Sequence, residues 1–187
     1  VASDRVDEWG KDILKMAPEL GKAPKELAEG LFFITSAGIR GAEAMEVLEM
    51  SAKASALGMG ETATLADLTT SAMNAYGIEN LSAAQATDIL VAAVREGKAP
   101  AEELAASMGN VLPIASEMGV SFDQVAGVVA AMTRTGTDAA TANTQLRQIL
   151  MSLLKPAGMA EDALNAMGVK SADLRKQIKD EGLLSVL

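Results

Sequence analysis

Four times along this chain an apolar, helix-like pattern runs into a glycine followed by a β-branched residue. The sites are Ala37-Gly38-Ile39, Tyr76-Gly77-Ile78, Met118-Gly119-Val120 and Met167-Gly168-Val169. A helix often ends on a left-handed residue, a conformation glycine enters without a Cβ penalty. The next residue then folds back as an apolar lid on the last turn. Leu57-Gly58-Met59 reads as a looser fifth stop. Punctuation this frequent rules out one long helix or a sustained coiled coil. It predicts helices over 4–17, 25–37, 41–57, 62–76, 82–96, 101–117, 122–135, 138–154, 160–167 and 171–181. About nine to ten short-to-medium helices in antiparallel hairpins form one compact all-α domain over 1–187.

Start signals agree with the stops. Ser82…Gln85 and Ser121…Gln124 have the spacing of a capping box, in which the hydroxyl meets the third amide and the Gln reaches back. Pro24 and Pro100 sit at expected first turns, with Glu26 and Glu102 close behind to suit the positive helix end. Pro113 falls inside the 101–117 pattern, where its ring would press on the carbonyl of Gly109 and kink the helix. Met45, Leu48 and Ala52 form a core stripe, with Glu43, Glu46, Glu49 and Lys53 opposite and Glu49→Lys53 in the favourable i,i+4 order. Leu65, Leu68, Ala72 and Tyr76 form a second stripe. The 122–135 segment is apolar nearly all round and is expected to be central.

Composition supports the helical reading. The chain has 35 Ala, 21 Leu and 11 Met against 20 Val plus Ile, and only 3% aromatics. The first group forms helices well, whereas strands need the second. Eleven methionines among so many small residues read as gap-fillers of the core rather than as an adaptable binding face. Residues 30–145 carry only 5 basic and 13 acidic side chains, so their helices bury more than one face. Pro24…Glu26-Leu27-Ala28 is weakly echoed by Pro100…Glu103-Leu104-Ala105, at a spacing too loose for a tandem repeat.

The same composition narrows function. With no His and no Cys there is no Ser-His-Asp triad, no thiol nucleophile and no usual zinc or haem ligand set. Glu102-Glu103 and Glu161-Asp162 are adjacent carboxylates, but adjacent residues diverge on a helix, and both pairs open helices where acids suit the dipole. No S-x-x-K motif marks a Ser/Lys dyad. No catalytic, cofactor-binding or metal-binding residue is therefore assigned, and no cofactor is implied. Ser121–Ile149 has helix-turn-helix grammar, but its second helix opens Asp138-Ala139-Ala140-Thr141-Ala142, with Asn143, Gln145 and Arg147 further on. A net charge of -9 opposes phosphate binding, so no specific nucleic-acid partner is expected. The longest uncharged run, Leu104–Ser116, has 13 residues, short of a membrane span. The Val1 start and the apolar Gly182–Leu187 end look like cuts within a longer protein.

Several ordered strings go further. They are Phe33-Ile34-Thr35-Ser36-Ala37-Gly38-Ile39-Arg40-Gly41-Ala42-Glu43-Ala44, Ala52-Lys53-Ala54-Ser55-Ala56-Leu57-Gly58 and Asn74-Ala75-Tyr76-Gly77-Ile78. Val94-Arg95-Glu96-Gly97-Lys98, Gly119-Val120-Ser121-Phe122-Asp123-Gln124-Val125 and Leu150-Met151-Ser152-Leu153-Leu154-Lys155-Pro156 follow. In order and spacing, from about residue 24 to 170, the set resembles the core of phage tail tape-measure proteins. The resemblance implies a non-enzymatic structural virion protein of a long-tailed phage or prophage, acting in tail assembly, length determination and genome ejection. It implies tail assembly chaperones, the tail tube protein and tail-tip proteins as partners, with homo-oligomerisation and host-membrane contact at ejection also in its scope. It places the protein in the tail tube lumen, and in the host cytoplasm during assembly. The family is mostly coiled coil, so a stretch this interrupted is expected to be a packed region, not the ruler. The alternative is a helical membrane-perturbing or pore-forming module, which the charge-poor middle would suit.

Overall fold

The computed structural model describes residues 2–154 and 158–183. Val1, the Lys155 and Pro156 that close the last string, and Leu184–Leu187 lie outside the described residues. Eleven helices and no strand occur among the described residues. They are α1 (Ala2–Leu20), α2 (Pro24–Ser36), α3 (Ala42–Ala56), α4 (Thr62–Tyr76), α5 (Ala83–Glu96) and α6 (Ala101–Met108). The rest are α7 (Leu112–Met118), α8 (Phe122–Arg134), α9 (Ala139–Leu154), α10 (Met159–Ala166) and α11 (Ser171–Glu181).

The stops act as the sequence predicts, with one exception. Gly38, Gly119 and Gly168 have φ of 94°, 77° and 73°. After each, the next N–H reaches back five residues: Ile39 to the Ile34 carbonyl, Val120 to Ala115, Val169 to Leu164, at 3.3, 2.9 and 2.9 Å. The same bond recurs from Lys22 to Ala17, Met59 to Ala54 and Thr137 to Met132. Each satisfies a carbonyl that the helix end would orphan. Ile39 and Val120 are buried lids, and Val169 is half-buried. Gly77 also has positive φ, 87°, but its ψ of 130° sends the chain outward instead of back. Its carbonyl accepts the N–H groups of Asn80 and Leu81, and Ile78 is left 45% exposed. The expected lid at Ile78 is therefore not formed.

Two other boundaries differ. The 101–117 segment is two helices, not one kinked helix. α6 stops at Met108, and α7 restarts with Pro113 in its first turn. Proline has no N–H to lose there, so a restart avoids the clash that an unbroken helix would force on Gly109. Pro100 is likewise the cap residue before α6, with ψ of 161°, while Pro24 opens α2 as expected. α1 runs on through Pro18 to Leu20.

Packing is organised around α4, which meets α2, α3, α5, α6 and α7. Leu65, Leu68, Ala72 and Met73 on it are buried, and only Asp67 and Asn74 are exposed. α8 is not the central helix. Val125, Ala126 and Val129 face the core, but Gly127 and Ala131 lie exposed with Asp123 and Arg134. A small-residue helix is cheap to leave in water, so an all-round apolar pattern did not require all-round burial. Consecutive helices pair (α2–α3, α3–α4, α4–α5, α8–α9), and the pairs α2–α4, α5–α8 and α6–α9 tie these hairpins together. One apolar cluster runs from Ile13 to Leu183. Among the described residues, alanine supplies sixteen of the buried apolar side chains and aromatic rings only one, Phe122, so the helices approach closely.

Candidate functional site

A surface groove of about 490 Å³ lies between α1 and α3. Trp9, Met16 and Met45 line it, with Glu8, Asp12, Glu46 and Glu49 around them. Lys53 pairs with Glu49 at 2.6 Å, the i,i+4 pair read from the sequence. A second groove of about 410 Å³ lies between α5 and the start of α8. Tyr76 closes one side: its hydroxyl donates to the Val120 carbonyl at 2.9 Å, and its ring is 5.9 Å from that of Phe122. Burial pushes the Tyr76 hydroxyl well above the ordinary phenol range, and the Asp123 carboxylate adds to this. A neutral phenol bonded to a backbone carbonyl is a fastening, not an acid catalyst.

The most connected polar cluster fastens helices too. The Thr62 hydroxyl donates to Glu26 Oε1 at 2.6 Å. Lys22 Nζ pairs with the same carboxylate at 3.0 Å and donates to Ser55 Oγ at 2.6 Å. Those bonds join α2, α3 and the start of α4. The Thr62 hydrogen bond holds the Glu26 carboxyl below its ordinary value; burial opposes the shift, and Lys22 reinforces it.

The residues weighed for chemistry are scattered. Glu102 and Glu103 are exposed in the first turn of α6, and Glu161 and Asp162 in that of α10. Asn143, a base-reading candidate in the helix-turn-helix pattern, is buried: its Nδ2 donates to Ser107 Oγ and to the Ala139 carbonyl, both at 2.9 Å. The α8–α9 hairpin thus turns one of its few readers into the core. Met73, Met108 and Met118 are core fillers, whereas Met16 and Met45 line the α1–α3 groove and Met167 is 73% exposed. Among the described residues no helix is long and apolar enough to cross a membrane. Among the described residues the most exposed aromatic side chains are on α2, where Phe32 and Phe33 stand edge to face, 5.8 Å apart, at 67% and 43% exposure. Sequence reading missed these two, because the stripe Leu27, Leu31, Ile34 fills the core side of α2 without them.

Comparison with known proteins decides the family. The sequence model of the phage-related minor tail protein family matches residues 10–186. The chain belongs to that family. This minor tail family member is 26% identical over 188 residues to the tape measure protein of Pneumococcus phage Dp-1, covering 95% of the chain and 16% of that relative. It is 30% identical over 156 residues to the probable tape measure protein of Clostridium phage phiCD119, covering 81% of the chain and 16% of the relative. Against the probable tape measure protein of Escherichia phage P2 it is 29% identical over 100 residues, covering 54% of the chain and 12% of the relative. The tape-measure resemblance read from the ordered strings is borne out. The chain spans about an eighth to a sixth of the length of these relatives. No solved structure matches this minor tail family member.

Proposed function

We propose that this chain is the packed module of a tail tape-measure protein, a structural and non-enzymatic part of the virion that folds as one helical unit over 1–187. The observation that carries the reading is the match to tape-measure relatives over a segment whose helices turn back at short intervals. As one continuous helix, a chain of this length would reach about 280 Å at 1.5 Å per residue. Folded, its radius of gyration is about 16 Å. A ruler needs the first geometry, and the helix stops favour the second.

The folded module therefore does not itself measure the tail. It works at one end of the tail, engaging tail-tip proteins or assembly chaperones, inside a protein that as a whole sets tail length. Within the tail tube lumen it is a reservoir that unpacks when the genome is ejected. Alanine-rich helices bury less apolar area per residue than a Leu/Phe core does, which keeps that unpacking inexpensive.

An internal deletion between Gly58 and Gly136 in the native phage tests this. Unchanged tail length with failed assembly or lost infectivity is expected. Tails shortened by the full helical rise, about 1.5 Å per deleted residue, would refute the end-module reading.

A further inference from the structure

The chain carries two Ser-x-x-Gln capping sequences, and only one of them closes. At α5, Gln85 Oε1 accepts the Ser82 N–H at 3.1 Å and Ser82 Oγ accepts the Gln85 N–H at 3.3 Å. At α8 the Ser121 side chain makes no cap bond. Gln124 Oε1 instead accepts the N–H of Leu183, 59 residues away, at 3.1 Å. The oxygen that would close the box is the oxygen that holds the end of the described chain.

Around that bond the segment 171–183 lies across its seat. α11 packs on α9 and α7. Ile178 and Leu183 are its buried side chains among those described. Arg175 Nη1 donates to the Leu154 carbonyl at the end of α9, 3.0 Å away. Seat and segment meet through glycines. A Cβ on Gly119 would lie 2.8 Å from Lys179 Cγ, and one on Gly182 would lie 2.5 Å from Gln124 Nε2. The preceding α10 adds little anchorage, since its described side chains are exposed except for half-buried Leu164.

We propose that 171–183 is a releasable strap and that Gln124 is its clasp. Docked, Gln124 holds Leu183 and leaves the α8 cap open. Undocked, Gln124 closes on Ser121, as Gln85 does on Ser82, so the helix start regains the bond that the strap gives up. The local cap offsets part of what release loses and makes the two states close in free energy, as a two-state element requires. Release uncovers the apolar surface of α7 and α9 under Ile178 and leaves the α2–α5 packing intact. The proposal rests on this geometry alone and stands apart from the tape-measure reading.

Amide hydrogen exchange of the full chain, resolved by residue, tests it. Ile178→Ala loosens the strap from the core side. Gly182→Ala loosens it at the clasp and touches no core residue. Each is expected to speed exchange across 171–183 at least tenfold, to slow exchange at the Ser121 and Gln124 amides, and to leave α4 unchanged. Ser121→Ala added to Gly182→Ala should remove the slowing at Gln124. Opposite signs in strap and cap are the signature of the switch. If the Ser121 and Gln124 amides exchange faster or unchanged in Gly182→Ala while α4 stays protected, Gln124 is a fixed tertiary contact and the proposal fails. Gln124→Ala with unchanged exchange over 171–183 overturns it as well.

Discussion

Replacing glycine by alanine should change sign between two positions of this fold. Gly38 ends α2 with φ of 94°, and a Cβ built there meets nothing within 4 Å. The whole cost of Gly38→Ala is therefore conformational, about 1–2 kcal/mol for an L-residue held in the left-handed region. Reduced freedom of the unfolded chain returns about 0.5 kcal/mol of this, leaving a net loss near 1 kcal/mol. Gly127 lies inside α8, exposed, with helical backbone and equally open space. Gly127→Ala should stabilise by about 0.5–1 kcal/mol, the usual helix-interior difference. Urea unfolding of the full chain followed by far-UV circular dichroism reads both. With a slope of about 2 kcal/mol/M, the midpoints should fall roughly 0.5 M below and about 0.3 M above that of the parent chain. In thermal melts the pair should separate by about 3–8 °C at 2–4 °C per kcal/mol. Two shifts of the same sign would show that the stop at Gly38 is not left-handed in solution, or that α8 does not run through Gly127.

Met73→Ala removes a fully buried side chain of the central helix and should cost about 2–5 kcal/mol in the same urea assay; a loss under 1 kcal/mol would displace α4 from the centre. Gly97→Ala keeps an ordinary φ of -85° but sets a Cβ 2.7 Å from the Ala93 carbonyl oxygen of α5, 2.8 Å from Thr133 Oγ1 and 3.2 Å from Ala130 Cα, so crowding at the end of α5 and against α8 should lower stability by about 1–3 kcal/mol. The Glu26 carboxyl titrates below its ordinary 4.5, so its contribution is present above that pH and disappears as pH falls through the lower folded value. Glu26→Gln should accordingly flatten the loss of stability below about pH 4.5, seen by comparing melts at neutral and acid pH; an unchanged acid limb would discount the Thr62–Glu26 bond.

The local grammar of this fold was legible in its residues, because a helix stop is decided within six residues of itself. Gly38, Gly119 and Gly168 announced themselves by their neighbours, and Ser82-Gln85 closed as its spacing implied. What escaped depended on partners far along the chain. Ser121-Gln124 is the same motif as Ser82-Gln85, yet Leu183 takes its oxygen, and no window around residue 124 contains that rival. α8 read as central because periodicity reports which residues tolerate burial, not how many neighbours arrive; five helices came to α4 instead. The helical pattern runs through Pro113, whereas two short helices avoid the clash. Phe32 and Phe33 stood out only once the other side of α2 was seen to be filled.

An interior in which alanine is the commonest residue also fixes how the fold can go wrong. At Ala44, Ala52, Ala66 and Ala72, all fully enclosed, every replacement except glycine adds atoms. Chance change at these positions acts by crowding, which forces helices apart and typically costs about 1–3 kcal/mol, and hardly ever by hollowing. A saturation scan should therefore show tolerance graded by side-chain volume along α3 and α4, with serine borne better than valine and valine better than leucine. The sequence is then free to drift at its surface while these four enclosed positions stay confined to the smallest residues.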